Sequence, residues 1–543
     1  MTVVRTLCGQ CAVGCGVRAM MGEGRDLSFA GDPVHPANSG LLCAGSDAID
    51  ALVPLEGRLL HPMVHGQRVS WGRMIGQAAR RLKDVLHRHG PGSIAMHVAG
   101  GLLTEDYYVA NKLMKGFIGS AHVDCPSGGG GAADIYRRAL GEDAVPGTYE
   151  DIDRAEIILV PNEAVLRRHP ILAERVQAAR EEGGARLILL GEEGDEQAIP
   201  ADIRLRIAPG SAAVLLNGLL LHCRDRTLVN HAYLDRHVVV PPDFWARLRQ
   251  GHDLWSVARR CGLQAGEVRA FCDLVATGRK VVTLLDDGGY DPGLLRAALN
   301  LHLSMEWIGR PGAAPFALAR DGNAMGAREV GCGNRQLAAH RDFCQEALGS
   351  VARFWSAWRM AEEPGLSGER LADAIERGII KALWVVGGLA AEHPLSPLLT
   401  KVPLVIMTTP WTPRPEVKNL LALPSPVWIE KDGTATGADR LISRQRGLFP
   451  LPGEAKPNWW SLTQIGRAMG WGDAFHYERP AEIYREHVRL TGYRNDGERL
   501  LDLRRHAPIS NPAYDELTPW RWGGMPFDGG RFPTADGRAR LLV

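Results

Sequence analysis

The chain has 543 residues, too many for one hydrophobic core, so several domains are expected. With 45% hydrophobic and 23% charged residues and a net charge of +1, it reads as an ordinary globular protein. That balance lacks the basic field that nucleic-acid or membrane-surface binding requires, so no nucleic acid and no membrane is expected as a partner.

The N-terminus MTVVRTLCGQC carries no charged-then-apolar signal. No run of about 18 apolar residues predicts a membrane span. Cytoplasm is therefore the expected compartment. The first feature is a ligand loop: Cys8, Cys11 and Cys15 are spaced by two and three residues, and Cys43 follows 27 residues later. Gly9, Gly14 and Gly16 interleave them, permitting tight turns that aim backbone N–H groups at sulfur. Four thiolates in a three-plus-one pattern match a cubane [4Fe–4S] cluster. Structural zinc also takes four thiolates, but its sites usually pair two short knuckles. The other six cysteines show no ligand spacing.

Beyond Pro54 the pattern turns α/β. Residues 73–90 predict an amphipathic helix closed by glycine, and 93–100 a strand. A βαβ unit follows: strand 155–162, helix 171–184, strand 185–191. Further strands are expected at 281–287, 382–388 and 402–409. From about residue 448 the chain becomes rich in Pro and Trp with weaker periodicity, which predicts a wrapping segment.

The cysteine spacing resembles that of molybdopterin-guanine-dinucleotide oxidoreductases, and within them the catalytic subunits of assimilatory nitrate reductases. The resemblance is carried by 138–156, 299–318, 323–331, 430–447 and 480–497, in the family's order along essentially the whole chain. It implies an α/β fold with a [4Fe–4S] domain (1–55), a discontinuous α/β domain (56–150 and 310–447) and a Rossmann-like nucleotide-type domain (151–309). Residues 448–543 form the wrapping segment. The family's C-terminal β-barrel is expected to be absent, or supplied by a separate chain. A molybdopterin guanine dinucleotide cofactor is implied alongside the cluster.

Several family contacts are altered. Counting back from Tyr136 puts Gly128 where the family has a molybdenum-ligating cysteine, whereas aligning Val123 and Asp124 points to Gly130. Cys125 is the candidate for a displaced ligand. A bridging lysine is replaced in Cys43-Ala44-Gly45-Ser46, and the two nucleotide loops read Asn162-Glu163-Ala164 and Gly191-Glu192-Glu193-Gly194-Asp195. Acidic residues facing a pyrophosphate oppose its binding. The turn Pro209-Gly210-Ser211 survives, followed by Ala212, and Gly437 stands where an asparagine is usual. Asn323, Arg328 and Glu329 complete the expected pterin-side residues, with structural charge pairing an equal reading of Arg328-Glu329 and Glu430-Lys431.

The expected function is an iron–sulfur electron-transfer and architectural subunit working with redox partner subunits. The alternatives are an active nitrate reductase completed by a partner, and a non-redox binding or chaperone-like module.

Overall fold

The computed structural model describes residues 2–22, 27–46, 49, 52–129, 131–191, 199–287, 291–413 and 416–543. Strands Thr2–Leu7, Gly16–Met21 and Leu27–Gly31 form an antiparallel sheet at the N-terminus. The loop between the first two carries Cys8, Cys11 and Cys15, and Cys8 N–H donates to Cys15 O at 2.9 Å to close it. Cys43 arrives just before a short 3₁₀ turn, Ala44–Ser46.

Two larger sheets follow. The first runs Ile203–Arg206, Arg186–Gly191, Ile157–Val160, Val281–Asp286, Ala314–Leu318, all parallel. Strand order reverses between Ile157–Val160 and Val281–Asp286, the doubly wound arrangement that places ligands at the carboxyl ends. The inner strands are apolar on both faces because helices cover both sides, as parallel sheets require, whereas the edge strand Ile203–Arg206 carries two arginines. The expected boundary at residue 309 needs correction. Ala314–Leu318, buried at all five positions, pairs with Val281–Asp286 and so belongs to this sheet.

The second large sheet is discontinuous in sequence. Its parallel strands lie in the order Leu420–Pro424, Leu404–Thr409, Ala382–Val386, Ile94–Val98, Val123–Asp124, extended by a hairpin, Met63–Val64 with Gln67–Arg68. The strand order reverses between Ile94–Val98 and Ala382–Val386. Helix Trp71–His89 enters this domain capped by Ser70, whose side chain accepts from Arg73 N–H, and stops at Gly90. Its buried face is Met74, Ala78, Ala79 and Leu82, the spacing of one helical stripe.

The segment after residue 448 is more than a wrap. Helices Asn458–Gly466 and Pro480–Gly492 place Trp459, Leu462, Ile465, Ile483 and Leu490 in the core of the second sheet's domain. The chain then crosses over, and Ala539–Arg540 pairs with Val238–Val239 in the other domain. Sequence periodicity understated these helices because Asn458, Ser461, Thr463, His487 and Thr491 are buried with the apolar residues, which blurs the stripe. No helix among the described residues is long and apolar enough to cross a membrane.

Candidate functional site

The ligand loop is buried against the rest of the chain. Trp428 Nε1 donates to Leu7 O at 2.9 Å, Ala438 N–H donates to Ala12 O at 2.8 Å, and Thr6 bonds Gln445. Cys8 and Cys15 are buried, while Cys11 and Cys43 reach partly to the surface. Burial pushes the Cys8 thiol up to about 12 and Cys11 to about 11; N–H groups of Gln10 and Val13 act in the other direction, and neighbouring sulfurs add repulsion. Cys15 is raised well above its ordinary value, by burial first and then by all three other sulfurs. Four sulfurs that repel one another in a dry site call for a cationic centre.

Behind this loop lies a cavity of about 580 Å³. It opens between the carboxyl ends of both large sheets, and its walls include His97, Gly100, Arg320, Asp321, Arg328 and His393. Asp321 lines it, and its chain neighbour Gly322 touches the cysteine loop: a Cβ there would come 2.5 Å from Gly9 O. The cysteine loop and the cavity therefore share one thin wall. Helix Gly131–Leu140 begins at the cavity, with Ser127, Gly129 and Gly131 on its surface. Ser127 Oγ donates to Asp321 Oδ2 at 3.0 Å. Burial raises the carboxyl of Asp287, which also lines the cavity.

The candidate residues fall into distinct places. Arg328 lines the cavity and pairs with buried Asp143 at 3.2 Å. Glu329 points away, accepting from Trp522 Nε1 at 2.6 Å and Thr436 Oγ1 at 2.9 Å, and burial pushes its carboxyl up to about 7. Asn323 adopts a left-handed backbone and ties Thr436 N–H to Leu102 O. Of the other retained pair, Glu430 bonds Arg58 at 2.6 Å and Lys431 lies 3.9 Å from Asp106.

Asn162, Gly191, Pro209, Gly210 and Ser211 sit at the ends of the first large sheet's strands and do not line this cavity. Asn162 Oδ1 accepts from Ala164 N–H, and Ser211 Oγ donates to Ala208 O. Neighbouring Glu163 is buried and engaged by Arg204 and Arg167, so its charge is balanced within the domain. Gly130 and residues 192–195 of the acidic loop lie outside the described residues.

A molybdenum ligand at position 128 does not fit. A Cβ on Gly128 would fall 1.5 Å from Cys332 O, inside covalent range. Cys125 packs beside Cys332 in the apolar core, where burial holds its thiol protonated. Among the described residues, no cysteine lines the cavity.

Sequence reasoning passed over His97 and His393, which face the cavity together with Arg320 and Asp321. Asp124 Oδ2 accepts from His97 Nδ1 at 2.7 Å, and its Oδ1 accepts from Gly368 N–H at 2.9 Å. Burial pushes the Asp124 carboxyl up, but these bonds outweigh it and hold the group below its usual range. The residues are spread over nearly 300 positions on three strand ends, so no local motif announces them.

The molybdopterin oxidoreductase family model matches residues 58–468, and the molybdopterin oxidoreductase Fe4S4 domain matches residues 1–51. The chain is 38% identical over 538 residues to a nitrate reductase from Klebsiella oxytoca, covering 96% of this chain and 61% of that protein. It is 33% identical to a nitrate reductase from Shewanella frigidimarina, covering 100% of this chain and 61% of the relative. It thus spans about three fifths of the length of these relatives. Acetylene hydratase from Pelobacter acetylenicus shares the fold at a TM-score of 0.75 and 17% identity, over 99% of this chain and 77% of that one.

Proposed function

The chain belongs to the molybdopterin oxidoreductase family, and from that premise we propose that it works in a nitrate-reductase-type oxidoreductase, its cysteine loop holding a [4Fe–4S] cluster that relays single electrons to the cleft. The thin wall between Gly9 and Gly322 carries this reading, because it sets the cluster loop directly behind the cavity. Cys8, Cys11, Cys15 and Cys43 are the cluster ligands in this proposal. The Gln10 and Val13 N–H groups offset negative charge on sulfur, which raises the reduction potential of such a centre. Electrons enter at Cys11 and Cys43, which reach nearest the surface, so a redox protein partner docks on that side.

The family implies a molybdopterin group in the cleft, where it would supply two-electron oxygen-atom chemistry. Ser127, Arg320 and Arg328 are the polar residues of this chain placed to meet an anionic group there. A protein thiolate on the metal is not part of the proposal, since Gly128 has no room for one and Cys125 faces the core. Nitrate reduction is favoured by the two relatives named nitrate reductase, at 38% and 33% identity. A second reading, an electron-transfer and architectural subunit, draws on the missing thiolate.

Anaerobic purification with natural partners separates these readings. Both expect about four iron atoms per chain and a paramagnetic signal on reduction. Stoichiometric molybdenum with viologen-driven nitrate consumption supports the first. Iron alone, without turnover, supports the second. A chain with one zinc and no iron would overturn both.

A further inference from the structure

We propose that the cleft also holds a divalent first-row transition-metal ion, bound by His97, Asp124 and His393. Each residue offers one donor atom, and the three atoms lie within 4.8 Å of one another. Among the described residues, this is the one group of three or more such donors that meets that limit. Two imidazoles and a carboxylate are the donor set that suits zinc, iron(II) or nickel, whereas calcium and magnesium want oxygen alone.

Topology explains why the donors meet. His97 lies near the carboxyl end of strand Ile94–Val98, Asp124 at the end of Val123–Asp124, and His393 on the loop after Ala382–Val386. Strand order reverses between Ile94–Val98 and Ala382–Val386, so their following loops diverge and leave a crevice. Such switch points are where doubly wound sheets bind ligands.

The geometry is close to that of an assembled site. His97 Nδ1 and Asp124 Oδ2 are 2.7 Å apart, so an ion would take the place of the proton they share. The two imidazole centroids are 4.6 Å apart with planes inclined by 60°. Two histidines on one tetrahedral ion, with nitrogens about 2.1 Å from it, put their centroids roughly 5.3 Å apart, so closing the site asks these rings to part by about 0.7 Å. Asp124 is fixed from behind by the Gly368 N–H, the kind of support that orients ligating carboxylates. His393 is half-buried on a loop and supplies the closing movement. Ligation through its Nε2 shifts the ring proton to Nδ1 and gives up the 3.2 Å donation from Leu395 N–H. Both histidines line the cavity, so the remaining coordination positions face it and are open to water or a small anion. The site is separate from the cysteine loop and does not depend on the electron-transfer reading.

The test uses the cluster-loaded chain, verified by its iron content, in equilibrium dialysis against zinc. The expected result is one zinc per chain in addition to the iron, with an X-ray absorption shell of nitrogen and oxygen at about 2.0–2.1 Å. His97→Ala and His393→Ala should each lower zinc affinity at least a hundredfold while iron content is retained. His393 is half-buried on a loop, so its variant tests the proposal even if the buried His97 change prevents folding. No zinc uptake, undiminished uptake in His393→Ala, or a sulfur shell at about 2.3 Å would each overturn the assignment.

Discussion

Replacing Gly322 with alanine tests the shared wall on which the functional proposal stands. The new Cβ would sit 2.5 Å from Gly9 O and 3.0 Å from Gly9 C. Carbon and carbonyl oxygen approach no closer than about 3.3 Å even in favourable contacts, so the two segments must part by about 0.8 Å. Gly9 lies between Cys8 and Cys11, the proposed cluster ligands, and the atoms in the way are backbone, so no rotamer change relieves the clash. Overpacking of this kind costs about 1–3 kcal/mol, and the cluster loop absorbs part of the displacement. Spread over the unfolding entropy of 543 residues, that is an apparent melting temperature about 1–3 °C lower under anaerobic conditions, together with altered g-values of the reduced cluster. Gly266→Ala is the control: it lies in helix Ala265–Ala276 with nothing within 4 Å of the added carbon, and it should be neutral or stabilising by up to about 1 kcal/mol. If Gly322→Ala melts with the wild type and its cluster spectrum is unchanged, the loop does not back onto the cleft as described.

Cys11→Ser should lose the cluster and lower the stability of the N-terminal domain, because ligand binding energy adds to folding energy where ligands from distant segments share one centre; iron analysis and melting check this, and unchanged iron would refute it. Gly128→Cys should not restore a metal ligand but should destabilise the chain, since its Cβ collides with Cys332 O; a folded variant with a reactive, cleft-facing thiol would contradict the geometry. Glu329 has its carboxyl pushed from 4.5 up to about 7 by burial, so the folded state prefers it neutral. Its stabilising contribution is full below about pH 4.5 and is lost as pH rises through 7, on the order of 3 kcal/mol. Glu329→Gln stays neutral throughout, so its melting temperature relative to wild type should climb between pH 5 and pH 8; a constant difference would disprove the assignment.

Much of this protein was legible in its sequence because the relevant physics is local. The spacing of Cys8, Cys11 and Cys15 marks a ligand loop, since neighbouring residues on a turn reach a common centre without help from distant chain. The continuous apolar runs at 157–160, 187–190, 382–386 and 404–407 declare buried parallel strands, since both faces of such strands are covered. The glycine at 128 likewise rules out a side-chain ligand wherever the chain places it. Tertiary structure alone decided what depends on strand order and on contacts across hundreds of residues. It assigned Ala314–Leu318 to the first large sheet, drew the helices after residue 448 into the second core, and turned Cys125 toward Cys332 instead of the cleft. It brought the loop around Gly9 against Gly322, and gathered His97, Asp124 and His393 at one switch point. The physical reason is the same in each case. A parallel sheet aligns the carboxyl ends of strands that are remote in sequence, so donors with no shared periodicity or spacing become neighbours only once the sheet has formed.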